Sequence, residues 1–193
     1  INDDMLSTST MVFYWGMNTQ FPQLDTHNIL FSSDYKSEFD SLFLEKTIAD
    51  DVTVYIYISS KFNPSDAPKG CENWFVMINT PPNLGQNWKE LTEKYRKVII
   101  DKIESVLNTE IKSKILFEKT LDPEIMEKQT GSYKGSLYGY SSNTKFSAFK
   151  RQSNRSKKFK NLFYCGGSAH PGGGIPLVIL SGRNVSELIG YAH

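Results

Sequence analysis

The sequence predicts an α+β chain, a mainly antiparallel sheet with covering helices, and three observations carry that prediction. Within Asp51–Ser59 the residues Val52, Val54, Ile56 and Ile58 alternate with Thr53, Tyr55 and Tyr57, the period of a strand with one buried face. Between Trp88 and Leu107 a stripe of Leu91, Tyr95, Val98, Ile99, Ile103, Val106 and Leu107 faces one way, while Lys89, Glu90, Glu93, Lys94, Lys97, Asp101 and Lys102 cover the other side. Strand-like and helix-like segments alternate without a fixed period, so no internal repeat is present.

Taken in order, Thr10-Met-Val-Phe-Tyr-Trp-Gly16 and Asn28-Ile-Leu-Phe31 read as strands separated by the loop around Pro22. Asp34 is an N-cap candidate for a short helix with Tyr35, Phe39, Leu42 and Phe43 at helical spacing. The alternating segment follows, and Trp74-Phe-Val-Met-Ile78 is expected to pair with it antiparallel across the loop Asn63–Gly70, with Pro81-Pro82 stopping the strand. After the long helix comes a brief strand, Ile115-Leu-Phe117. Asp122 then caps a short helix with Pro123 in its first position, running to about Gln129. Beyond Gly131 the texture turns to Gly, Ser, Tyr and Asn. A final strand, Asn161–Cys165, leads through a glycine-rich turn, Gly166–Gly174, into a helix from Ile175 to Ile189.

The 193 residues are 39% apolar and 22% charged, and 22 Lys+Arg against 21 Asp+Glu leave a net charge of +1. That balance excludes wholesale disorder and a general nucleic-acid footprint. The aromatic share of 13% fits apolar ligand walls or a tyrosine-rich core. Cys71 and Cys165 are too few and too far apart for a disulfide scaffold, which points to a reducing, cytoplasmic setting. His27, His170 and His193 have no metal-ligand spacing, so no metal is expected. No stretch approaches a membrane span, and a first residue of Ile leads us to expect a piece of a longer chain.

The glycine turn is the most informative feature. Five glycines between a strand and a helix N-terminus let backbone approach a ligand closely, and the helix end adds unpaired N–H groups and partial positive charge. A tight turn that merely needs positive φ is the alternative. Asn161-Leu-Phe-Tyr-Cys-Gly-Gly-Ser-Ala-His-Pro-Gly-Gly-Gly-Ile-Pro176 with Ser181-Gly182 resembles the carboxy-terminal flavin-contact signature of bacterial phytoene-desaturase-type carotenoid oxidoreductases. Gly70–Pro82 and Thr130–Gly139 resemble the same family in the same order, and Val12–Met17 with His27-Asn28 is most similar to its hydroxy- and methoxyneurosporene dehydrogenase branch.

The family opens with a Gly-x-Gly-x-x-Gly unit for the adenosine diphosphate of FAD, and this chain has no such fingerprint after a strand. The resemblance therefore implies a carboxy-terminal portion: residues 1–144 as part of the substrate-binding domain, and 145–193 as the return segment of a Rossmann-like FAD-binding domain. It further implies an FAD-dependent desaturase, with non-covalent FAD incompletely bound by this portion alone, which would then be inactive. The partners implied are an acyclic carotenoid substrate and an amino-terminal FAD-binding half. Carried over, Gly166 and Gly167 lie along the ribityl and pyrophosphate side, and Gly173, Gly174, Ile175 and Pro176 bring the helix end to the flavin.

No catalytic acid or base is identifiable. His170 has no partner in sequence, Glu72 reads as solvated and Asp122 as a helix cap. Phe13, Tyr14, Trp15, Tyr55, Tyr57, Trp74 and Phe75 could line a carotenoid tunnel or fill a core. Seven basic residues and no acid fall between Lys145 and Lys160, a solvated loop or a contact for anionic lipid that would make the protein peripherally membrane-associated; RNA is a weaker third reading. From a different class, a non-catalytic module binding an apolar ligand or a membrane surface is the alternative.

Overall fold

The computed structural model describes residues 6–139 and 151–190. Residues 9–135 form one compact unit; the remaining described residues belong to a second.

The first unit is built on a five-stranded sheet of order β2-β3-β4-β1-β5, with every neighbouring pair antiparallel. The strands are β1 (Ser9–Met17), β2 (His27–Leu30), β3 (Val54–Tyr57), β4 (Glu72–Thr80) and β5 (Ile115–Leu121). The expected β3–β4 pairing is present, but β1, the first strand in sequence, lies between β4 and β5. β5 runs four residues past the expected Phe117, through Glu118-Lys119-Thr120-Leu121, because an edge strand tolerates charged side chains.

Helix α1 (Tyr35–Asp40) is capped by Asp34, whose carboxylate accepts from the Ser37 N–H, and it widens into a π turn over Ser41–Glu45. A one-turn α2 (Ser59–Phe62) follows β3. Helix α3 (Trp88–Leu107) starts at the Asn87 cap and ends at Asn108 in the left-handed region. Asp122 caps α4 (Pro123–Thr130) by accepting from the Ile125 N–H.

Alternation decides which face of the sheet is core. Met11, Phe13, Trp15 and Met17 of β1, Val54 and Ile56 of β3, and Trp74, Val76 and Ile78 of β4 join Trp88, Tyr95, Ile99, Ile100 and Ile103 of α3 in one buried cluster. Of the predicted α3 stripe only Val106, in the last turn, is exposed. Polar tips in this core are paired. The Trp15 indole donates to Glu118, which also holds Arg96, and the Tyr95 hydroxyl donates to the Ile48 and Ala49 carbonyls.

The second unit carries α5 (Ile175–Ile189) and a glycine turn. Here one expectation is corrected: Asn161–Cys165 is not a strand. Phe163 makes an isolated bridge to Arg155, and Gln152 another to Ala169. A strand exists only where a neighbour takes its N–H and C=O groups in succession, and among the described residues none does so here. The described residues of this segment do not by themselves show the Rossmann-like character expected of it.

Candidate functional site: an aromatic sheet face and a glycine turn

The second face of the sheet departs from the usual polar face of a one-sided antiparallel sheet. Strand register places two rows of side chains on it. His27 pairs with Tyr57, Tyr57 with Phe75, Phe75 with Tyr14 and Tyr14 with Lys119; beside them run Ile29, Tyr55, Met77, Val12 and Leu121. Tyr14 and Phe75 meet edge to face with centroids 5.6 Å apart, Tyr55 lies 6.4 Å from Phe75, and His27 stacks on Tyr57 at 5.0 Å. Tyr14 is 37% exposed, and Tyr55, Tyr57, Phe75 and Met77 are half-buried. A hollow of about 360 Å³ opens at the β1–β5 end, lined by Tyr14, Phe117, Lys119, Thr120, Leu121 and Gln129.

The pleat thus divides the aromatic residues singled out in sequence. Phe13, Trp15 and Trp74 are core; Tyr14, Tyr55, Tyr57 and Phe75 form the exposed face. Burial, with Tyr57 adding to it, pushes the Tyr55 phenol above its ordinary value, so its hydroxyl keeps its proton at neutral pH. Such a face offers dispersion and hydrophobic contact to a flat, apolar chain, with His27 and Lys119 at the two ends of its aromatic row.

In the second unit Gly166, Gly172 and Gly174 adopt positive φ, the region glycine enters without cost. A side chain at Gly166 or Gly174 would meet nothing within 4 Å, so the backbone at both lies open to a ligand. Gly174 is the cap of α5, with no side chain satisfying the helix end, and Pro176 in the first turn has no N–H to offer. Asn154 is 7% exposed, and its amide nitrogen lies within hydrogen-bond distance of the Tyr164 and His170 carbonyls and of Ser181 Oγ. Ser181 Oγ in turn accepts from the Gly166 N–H at 3.2 Å, and Arg151 donates to the Gly167 carbonyl at 2.9 Å.

No family model matches the chain. Over 183 residues, 95% of its length, it is 54% identical to the 1-hydroxycarotenoid 3,4-desaturase of Flavobacterium sp. (strain P99-3). The chain is thus similar to a carboxy-terminal portion of a carotenoid desaturase. The 4,4'-diaponeurosporene oxygenases of Staphylococcus haemolyticus (strain JCSC1435) and Staphylococcus aureus (strain MW2) are each 35% identical over 184 residues. The chain spans 38% of the length of the first relative and 37% of the other two.

Gly166, Gly167, Gly173, Gly174, Ile175 and Pro176 all fall on the glycine turn and the first turn of α5. Gly173 packs against the Tyr138 ring: a Cβ there would lie 2.1 Å from its Cδ1. The backbone N–H of His170 donates to Gln152 and its carbonyl accepts from Asn154, a structural placement. Glu72 is not solvated. It is 3% exposed, accepts from the Phe21 N–H and the Trp74 indole, and pairs with Lys61 at 2.7 Å. Of the basic segment, Lys145 and Lys150 lie outside the described residues. Arg151 is engaged with the turn, while Arg155, Lys157, Lys158 and Lys160 are exposed.

Sequence reasoning gave Asn154 no role and saw Ser181, Arg151 and Tyr138 only as parts of the signature, the basic segment and the Thr130–Gly139 match, because their contacts join positions 10 to 35 residues apart and leave no periodic signal. Among the described residues no cluster of His, Cys, Asp or Glu could hold a metal ion, and no helix is long and apolar enough to cross a membrane.

Proposed function

We propose that the chain is the carboxy-terminal portion of an FAD-dependent carotenoid desaturase acting on a hydroxylated acyclic carotenoid. The observation that carries it is the apolar, aromatic second face of the sheet in a chain related to enzymes named for carotenoids. That face serves as the floor on which the polyene lies. Tyr14, Phe75, Tyr55 and Tyr57 hold it by ring contact and keep water from one side of the bond to be oxidised.

The glycine turn fits the edge of a flavin. Open backbone at Gly166 and Gly174 admits a close approach, and the N-terminal end of α5 favours electron-rich oxygens and nitrogens there. FAD, when bound, supplies the acceptor for a hydride from one carbon of the substrate, the proton on the neighbouring carbon being lost as the double bond forms. Asn154 and Ser181 keep the turn in register; Gly167 and Gly173 let it fold tightly against Tyr138. The large apolar side chains that α5 leaves exposed, Ile175 at 78% and Ile179 at 68%, support an origin in a domain completed by an amino-terminal half. Arg155, Lys157, Lys158 and Lys160 supply the charge for peripheral contact with anionic lipid.

The test is made on the full-length protein in liposomes. Stoichiometric FAD and conversion of a hydroxylated acyclic carotenoid to a product two hydrogens poorer are expected. Gly173→Val should release FAD while the circular dichroism of the sheet persists, because the new side chain meets the Tyr138 ring and opens the turn. Desaturation without flavin, or full flavin retention by the variant, contradicts the assignment.

A further inference from the structure

Resting on the carotenoid reading above, we propose that His27 and Tyr55 form a hydrogen-bonding anchor that selects the oxygen-bearing end of an otherwise apolar ligand and so sets its direction across the sheet. The row from His27 through Tyr57, Phe75 and Tyr14 to Lys119 crosses all five strands, about 19 Å at ~4.8 Å per strand. Its middle, Tyr57, Phe75 and Tyr14, offers mainly ring faces, and its far end carries the Lys119 ammonium, a cation rather than a neutral donor. A hydrocarbon chain could slide or reverse on those ring faces at little cost, because hydrophobic contact has no direction.

The β2–β3 end differs. His27 Nδ1 lies 2.8 Å from the Tyr55 hydroxyl, and the imidazole is held flat on Tyr57. Whichever ring nitrogen carries the proton, this pair keeps one donor over. If the Tyr55 hydroxyl donates to Nδ1, the neutral imidazole has its N–H at Nε2; if Nδ1–H donates to the phenol oxygen, the Tyr55 O–H is left. Nε2 makes no hydrogen bond among the described residues, and His27 is exposed. The anchor therefore presents a spare donor at the end of an aromatic row, matched to a hydroxyl or ether oxygen. A purely structural role explains little, since β2 is already paired with β3 over its whole length by main-chain bonds.

The experiment compares two acyclic carotenoids of equal length, one with a terminal hydroxyl and one without, turned over by the full-length protein. His27→Phe and Tyr55→Phe should each lower kcat/KM for the hydroxylated substrate about tenfold more than for the hydrocarbon, mainly through KM, because only the hydroxylated substrate loses a hydrogen bond. The double variant should lose at least as much as either single one, because each single variant disrupts the paired geometry but leaves one donor, and only the double variant removes both. Equal losses on both substrates, or no loss on either, overturn the anchor. Phe75→Asp, checked for folding by circular dichroism, separates the two levels: it should depress both substrates. If Phe75→Asp changes neither, the sheet face is not the carotenoid floor; if it depresses both while His27→Phe fails to discriminate, only the anchor falls.

Discussion

Asp51 shows how much one exposed residue contributes to the frame. Its carboxylate accepts from Lys102, then from the backbone and hydroxyl of Ser33, and these hold its pKa at about 2, below the ordinary 3.8. A lowered folded-state value means stability that is fully present above pH 3.8 and is lost as pH falls toward 2. Because the side chain is 47% exposed, solvent screening keeps the gain below about 1 kcal/mol. Asp51→Asn should therefore lower the urea midpoint slightly at pH 7 and much less at pH 2, where about half of the carboxylate is already protonated. A difference that is the same at both pH values would show that the ion pair is not its source. Glu72 makes the contrasting case: one acidic letter in a strand gives no hint that Lys61, Phe21 and Trp74 converge on it to make a buried carboxylate tolerable.

At the scale of elements, caps and periods were legible and pairing partners were not. Asp34, Asp122 and the α3 stripe are local patterns, and each stands where the residues put it. The end of β5 and the absence of a strand at Asn161–Cys165 depend on which backbone lies alongside, information that no short window holds. The α4 connection has a similarly non-local constraint at Gly135. Its φ is +64°, and a Cβ there would sit 2.2 Å from the Pro123 carbonyl oxygen. Gly135→Ala is expected to cost about 3 kcal/mol or more, from combined backbone strain and overpacking. Thermal unfolding measures it, and an unchanged midpoint would mean that the α4 turn relaxes freely.

For the whole molecule, alternation in Val12–Trp15 and Trp74–Val76 already shows that adjacent aromatics face opposite ways. Which face meets α3 follows only from the five-strand order. That order converts a scattered set of aromatics into a core and a platform, and the platform is the central claim. Its most direct test pairs Tyr14→Asp, on the platform, with Leu44→Asp, in the π turn and 75% exposed. Measured as carotenoid turnover by the full-length protein in liposomes, with folding confirmed by circular dichroism, Tyr14→Asp should fall at least tenfold, since a buried carboxylate against a polyene is strongly disfavoured. Leu44→Asp should stay within about twofold. Full turnover by Tyr14→Asp, or an equal loss in both variants, would contradict the account.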